Sequence, residues 1–207
     1  MLDEFSVILW DFDGVIIDSN EIRTKGFIDI FKSFNEEDVL KLVDFHKNNG
    51  GLSRYFKINF FFKNILGIDI SEDEILIYAN NYKKYVLSNL MDTNFLIADS
   101  LNYIQQNYKK KDMHIVSASD ENELRELCDF YDISKYFISL KGSPVNKSDN
   151  ISSLIINQGY SRNQITYIGD SINDFESAKL NQINFFGYNI KTIFTSEYSI
   201  IKKFTEL

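Results

Sequence analysis

Short apolar runs that end abruptly in polar residues alternate with longer amphipathic stretches through most of the chain. The first run, Val7-Ile8-Leu9-Trp10, climbs to Asp11-Phe12-Asp13-Gly14. An unbroken apolar run of this length fits a parallel strand covered on both faces. Further runs are Met113 to Val116, Phe137 to Leu140, Ile165 to Ile168 and Asn184 to Tyr188. Helices are expected between them, near residues 97–107, 120–131, 150–158 and 173–180. Leu124, Leu127, Cys128 and Tyr131 fall in helical register, and Gly159 closes the third of these helices. Strand and helix alternating over short connections predict an α/β fold, a doubly wound, Rossmann-like parallel sheet.

One block breaks the alternation. From Ser19 to Leu96 no strand interrupts a series of helical stripes. Ile22, Phe27, Ile30, Phe31 and Phe34 form one, and Val39, Leu40, Val43 and His46 a second. Gly50-Gly51 ends it, Ser53 caps a third helix, and Gly67 is placed to close that one. Ser71-Glu72-Asp73-Glu74 is a capping-box pattern before a fourth stripe through Ile75, Ala79, Tyr82, Val86 and Leu90. The expected organisation is a core of residues 1–18 and 97–207 with an inserted α-helical domain of residues 19–96.

Composition narrows the function. With 207 residues, 44% of them hydrophobic, the chain can build one good core and an accessory unit. A net charge of −8 argues against a nucleic-acid partner, whose phosphates call for clustered Lys and Arg. It leaves room for a small phosphorylated metabolite, because a metal and a few cations focus charge locally. Cys128 is the only cysteine, so no internal disulfide forms. No apolar run approaches membrane-spanning length. A cytoplasmic protein with no membrane partner, monomeric or weakly dimeric, is the expectation.

Several polar groups fall just after apolar runs: Asp11 and Asp13, Ser117, Lys147, and Asp170 and Asp174. In a parallel sheet these segments reach one edge, where open α/β sheets place ligands. Acids at the end of an apolar strand call for a cation, and hard oxygen donors suit Mg²⁺. A metal and Lys147 would remove the repulsion between a carboxylate and a phosphate dianion. Asp11 could then attack phosphorus and form an aspartyl-phosphate. Asp13, near other acids, is expected to hold a proton near neutral pH and to act as acid, then base. The Ser117 hydroxyl and neighbouring backbone N–H groups, through Gly14, Ala118 and Ser119, would cradle the phosphoryl oxygens. Taken singly, each group also has a structural reading: a turn at Asp13-Gly14, a helix cap at Ser117 or Ser119, a surface charge at Lys147.

Together these motifs resemble the haloacid dehalogenase-like hydrolase superfamily. Asp11-Phe12-Asp13-Gly14-Val15 is similar to its first motif, the strand ending in Ser117 to its second, and Lys147 to its third. Gly169-Asp170-Ser171-Ile172-Asn173-Asp174 is similar to its fourth. The resemblance implies Asp11 as nucleophile and Asp13 as acid/base. It also implies Mg²⁺ held by Asp11, the Asp13 carbonyl and Asp170, with Asp174 in support. Lys141 is a second candidate for the third motif; Lys147 is preferred because it directly precedes a helix. Residues 19–96 look like the family's all-helical cap, and Gly51-Leu52-Ser53-Arg54 resembles the cap loop of the β-phosphoglucomutase and phosphoglycolate phosphatase branch. Arg54 is the candidate cap-side ligand, with a helix-surface role as its alternative. Arg23, also placed among the substrate-binding candidates, stands where that branch often has histidine, a departure that weakens a mutase assignment.

The leading expectation is therefore a Mg²⁺-dependent phosphatase acting on a sugar phosphate or phosphoglycolate-type substrate. A phosphomutase and a non-catalytic phosphate-binding protein are its rivals. A phosphonate hydrolase would need a cap lysine, for which Lys57 is the nearest candidate. His46 and His114 are read as core or surface residues.

Overall fold

The computed structural model describes residues 1–190 and 197–206. Residues 191–196 and 207, part of the expected core segment, lie outside the described residues. One parallel sheet contains β1 (Val7–Trp10), β2 (Asp112–Asp120), β3 (Ser139–Ser143), β4 (Ile165–Gly169), β5 (Asn184–Tyr188) and β6 (Ser199–Ile201). The helices are α1 (Asn20–Ile30), α2 (Glu36–Asn48), α3 (Arg54–Phe60), α4 (Glu72–Leu90), α5 (Ala98–Asn107), α6 (Glu121–Phe130), α7 (Lys147–Gln158) and α8 (Ile172–Leu180).

Across the sheet the strands run β3-β2-β1-β4-β5-β6. The order reverses at β1, so the crevice for a ligand opens between the carboxyl ends of β1 and β4. Leu9 pairs with His114 on one side and Tyr167 on the other. The two-residue period of β1 then sorts its side chains. Ile8 and Trp10 join one core with Ile104 of α5 and Leu124 and Leu127 of α6. Val7 and Leu9 join a second with Ile151, Leu154 and Ile155 of α7 and Ala178 of α8. A strand buried on both faces has no polar side to show, which is why its sequence does not alternate.

Helices α1 to α4 interrupt the chain between β1 and β2. They carry an aromatic cluster in which Phe31 stands 4.2 Å from Phe61 and 5.1 Å from Tyr78, ring centre to ring centre. Gly26 lets α1 close on α4, since a Cβ there would lie 2.9 Å from the Tyr82 ring. Ser71 and Glu74 form the reciprocal capping box that opens α4. Among the described residues no helix is long and apolar enough to cross a membrane.

Several expectations shift. The strand expected over 137–140 forms at Ser139–Ser143, because Ser134–Tyr136 makes a 3₁₀ turn that delays it. β2 runs through Ser117-Ala118-Ser119, where the strand is expected to end, and on to Asp120, with an irregularity in its pairing to β3. Helix α7 starts three residues earlier than the 150–158 stretch, where the Asn146 side chain accepts from Asp149 N. β6 is too short to leave a periodic signal. Leu40, expected on the buried stripe of α2, is exposed, and Leu42 is buried in its place. After α3 the chain continues as a π-helical turn, Phe61–Leu66, closed by Gly67 at φ 70°.

His114 lies wholly inside, its Nδ1 2.8 Å from Ser139 Oγ and its Nε2 3.1 Å from Tyr160 OH. Burial pushes it down to about 4. Between that value and the unfolded value of roughly 6.5, the unfolded chain takes up a proton that the folded one refuses. Its contribution to stability is thus complete above the unfolded value and lost as pH falls toward the folded one. His114→Gln should flatten the fall in thermal midpoint between neutral and mildly acid pH; a fall of equal slope in both proteins would show that other groups govern it.

Candidate active site

At the carboxyl end of β1, Asp11 is buried in a ring of charge. Lys147 Nζ, from the first residue of α7, stands 2.9 Å from Asp11 Oδ1 and 2.5 Å from Asp174 Oδ1. Asp174 is buried, and both its oxygens are engaged. Oδ1 also meets Tyr167 OH at 2.9 Å, while Oδ2 accepts from the backbone and hydroxyl of Ser171 at 3.0 and 2.7 Å. Ser171 and Asp174 thereby close a capping box that opens α8 just after β4. Asp170 reaches in from the same loop and accepts from Asn20 Nδ2 at 3.3 Å.

Oxygens of Asp11, Asp170 and Asp174 lie within 4.8 Å of one another. Burial and the neighbouring Asp174 carboxylate raise Asp11 well above the usual carboxylate range, and the same two causes push Asp170 up to about 7. Acids so crowded ask for more positive charge than Lys147 supplies. This donor set of hard oxygens fits a divalent cation such as Mg²⁺. Asp11 and Asp170 are the acids best placed to meet it, since Asp174 is occupied in orienting Lys147 and the helix start.

Asp13 differs from its expected state. Its carboxylate is outside this acid group and is held by three donors. Arg23 Nε stands 2.8 Å from Oδ1, the Ser19 hydroxyl donates to the same oxygen in a very short hydrogen bond, and Ser119 Oγ donates to Oδ2 at 2.6 Å. Burial alone would raise its pKa, but the Arg23 guanidinium and the two hydroxyls outweigh it and hold the group below its ordinary value. The expected neutral-pH proton is therefore not held in this geometry, because Arg23 and not another acid is its nearest charge. Gly14 turns the chain here at φ 79°, and Asn189 Nδ2 donates to its carbonyl at 2.9 Å.

Above these groups the helical block contributes a roof. Arg23 of α1 also pairs with Glu123 of α6, and Arg54 of α3 approaches the same carboxylate at 2.6 Å. Glu123 is wholly buried. Arg54 lies over the Tyr82 ring, 4.7 Å from its centre. A cavity of about 50 Å³ remains between roof and sheet edge. Asp11, Asp13, Ser117, Ala118, Ser119, Lys147, Asp170, Arg23 and Arg54 all line it. Gly14 lies under its floor beside Asp170. Lys141 sits in β3 away from it, which separates the two lysine candidates.

Five residues were missed or undervalued by sequence reasoning: Asn20, Glu123, Tyr167 and the pair formed by Lys57 and His46. Glu123 is three residues after Asp120, whose carboxylate accepts from Glu123 N, so its spacing reads as an ordinary helix start. Tyr167 is inside an apolar strand, and nothing in the run reveals that its hydroxyl meets an acid.

The haloacid dehalogenase-like hydrolase family matches residues 8–188. The chain belongs to that family. Among curated proteins none matches the sequence. Solved structures share its fold at low identity. CbbY from Rhodobacter sphaeroides in complex with phosphate is similar with a TM-score of 0.78 and 13% identity, over 98% of this chain and 96% of that one. A predicted phosphoglycolate phosphatase from Haemophilus somnus 129PT gives 0.74 and 16%, over 100% and 97%. The HAD-hydrolase YfnB from Bacillus subtilis, bound to magnesium, gives 0.71 and 15%, over 98% and 96%.

Two substitutions test this arrangement. A Cβ on Gly14 would lie 2.1 Å from Asp170 Oδ2, and the left-handed backbone there costs a non-glycine residue roughly 1–2 kcal/mol. Gly14→Ala should lower stability by at least that amount in thermal unfolding. Glu123→Leu leaves two buried guanidiniums facing each other and should cost about 3–5 kcal/mol in denaturant unfolding. A loss below about 1 kcal/mol would mean that water reaches the pair.

Proposed function

We propose that this protein is a Mg²⁺-dependent phosphatase that hydrolyses a small phosphorylated metabolite through an aspartyl-phosphate on Asp11. The observation that carries this reading is the buried Asp11 carboxylate with Lys147 Nζ at 2.9 Å and Asp170 and Asp174 beside it. An attacking carboxylate needs cations near it more than it needs a base, because it already carries the electron pair.

Asp11 forms the new bond to phosphorus as the ester P–O bond breaks. The leaving oxygen takes a proton from Asp13, and water then attacks phosphorus and returns a proton to Asp13, releasing inorganic phosphate and Asp11. As held by Arg23, Asp13 is ionised and set for the second half. Donation in the first half requires the Arg23 pair to loosen. Lys147 neutralises charge on the phosphoryl group, while Ser117 Oγ and the N–H groups of Ala118 and Ser119 bind its oxygens. Asp11, Asp170 and the Asp13 carbonyl would hold Mg²⁺, which would supply further charge stabilisation.

Residues 19–96 act in this reading as a cap. A cavity of about 50 Å³ holds a few water molecules but falls well short of the ~300 Å³ typical of metabolite pockets, so the roof lifts to admit substrate. A wider hollow of about 620 Å³ adjoins it, lined by Glu21, Thr24, Lys25, Lys47 and Ile172. Similarity to the predicted phosphoglycolate phosphatase and to the phosphate complex of CbbY supports the choice of a phosphate ester.

Purified protein with Mg²⁺ should release phosphate from a panel of small phosphate esters, and chelation should stop it. Asp11→Asn should cut turnover by at least roughly 10³-fold with an unchanged circular dichroism spectrum. Undiminished turnover in that variant would remove Asp11 from the chemistry.

A further inference from the structure

The buried cations around the cavity are not equally provided for. Lys147 pairs with Asp11 and Asp174, Arg23 with Asp13 and Glu123, and Arg54 with Glu123. Lys57 of α3 lines the same cavity and is 2% exposed, yet it pairs with no described carboxylate. Its ammonium donates to two neutral acceptors, His46 Nδ1 at 2.9 Å and the Gly50 carbonyl at 3.3 Å. His46, on α2, stays neutral, pushed down to about 2 by burial and by Lys57 itself. An ammonium has three N–H bonds, and these contacts use two.

A buried cation without a counter-ion is expensive. Burial first, then Lys147 from α7, with Arg23 from α1 and Arg54 from its own helix, pushes Lys57 down to about 7, and Asp13 only partly offsets them. Beside it in the cavity lining, Arg23 Nη2 is buried and has no hydrogen-bond partner among the described residues. Two unanswered donors from two helices thus sit in the roof of one small chamber. The transferred phosphoryl group belongs below this roof, at the sheet edge with Asp11 and Lys147.

We propose that Lys57 and Arg23 Nη2 form a subsite for a second anionic group on the substrate. Resting on the phosphatase reading, this makes the preferred substrate a compact phosphate monoester with a carboxylate or a second phosphate at its far end. A neutral sugar monophosphate leaves Lys57 uncompensated under a closed roof and is the poorer substrate.

Three esters of matched length separate the cases: 2-phosphoglycolate, ethane-1,2-diyl bisphosphate and 2-hydroxyethyl phosphate. With Mg²⁺, one of the two anionic-tailed esters should exceed the neutral one by at least tenfold in kcat/KM, and which one does so names the second group. Lys57→Met should bring that ratio toward one, and Lys57→Arg should retain most of it. A wild-type ratio near one, or an equal ratio in Lys57→Met, would overturn the subsite while leaving the phosphatase intact. If no ester is hydrolysed, the phosphatase reading fails, and binding decides the subsite alone. Calorimetry on Asp11→Asn with Mg²⁺ should then show tighter binding of an anionic-tailed ester than of the neutral one. Equal affinities would reject the subsite.

Discussion

Like charge crowded at one edge of a parallel sheet is the constraint that the rest of this structure answers. Asp11, Asp170 and Asp174 arrive from two strands that are neighbours in space and far apart in sequence. Their mutual repulsion in a buried setting would unseat the loops that bear them if Lys147 did not stand between two of them. The sheet order makes this convergence unavoidable, since β1 and β4 end side by side at the point where the winding reverses. Helix starts then do double service. The first residue of α7 supplies the lysine, and the capping box of α8 fixes Asp174.

The same accounting of charge extends upward into the helical block. Arg23 touches Asp13 with one nitrogen and Glu123 with another, so it links the acid two residues after Asp11 to α6. Arg54 meets Glu123 from a different helix. The roof over the cavity is accordingly fastened by ion pairs to the core and not by apolar contact alone. Phe27 and Tyr82, 4.5 Å apart, supply the apolar backing against which these long side chains are held.

Most of the fold was legible because strands buried on both faces leave unbroken apolar runs, and β1, β4 and β5 are of that kind. Asp11, Ser117, Lys147 and Asp170 were legible because each follows such a run, and a shared sheet edge turns distance in sequence into nearness in space. What escaped were polar residues buried by tertiary packing. Glu123 occupies an ordinary position in the first turn of an amphipathic helix, and its wholly buried state depends on two arginines from another part of the chain. Lys57 shows nothing in its neighbourhood of sequence to distinguish it from a solvated lysine. The protonation of Asp13 was misjudged for a related reason. Its nearest acids are visible in the motif, while the arginine that controls it comes ten residues later and turns back only through the packing of α1.

Glu123, held between two guanidiniums, acts as a built-in counter-ion. With nothing bound, the helical layer already finds an anion to rest on, and shutting the chamber leaves those two arginines neutralised. If residues 19–96 move as the proposed cap, these two ion pairs favour the shut form, and a ligand would enter only during excursions in which that embrace is broken. Whatever intrinsic affinity the open form has, the affinity seen in solution is reduced by the fraction of molecules that are open. On that reading selectivity would follow from the same contest, because a guest must better reward the roof than the carboxylate already waiting there.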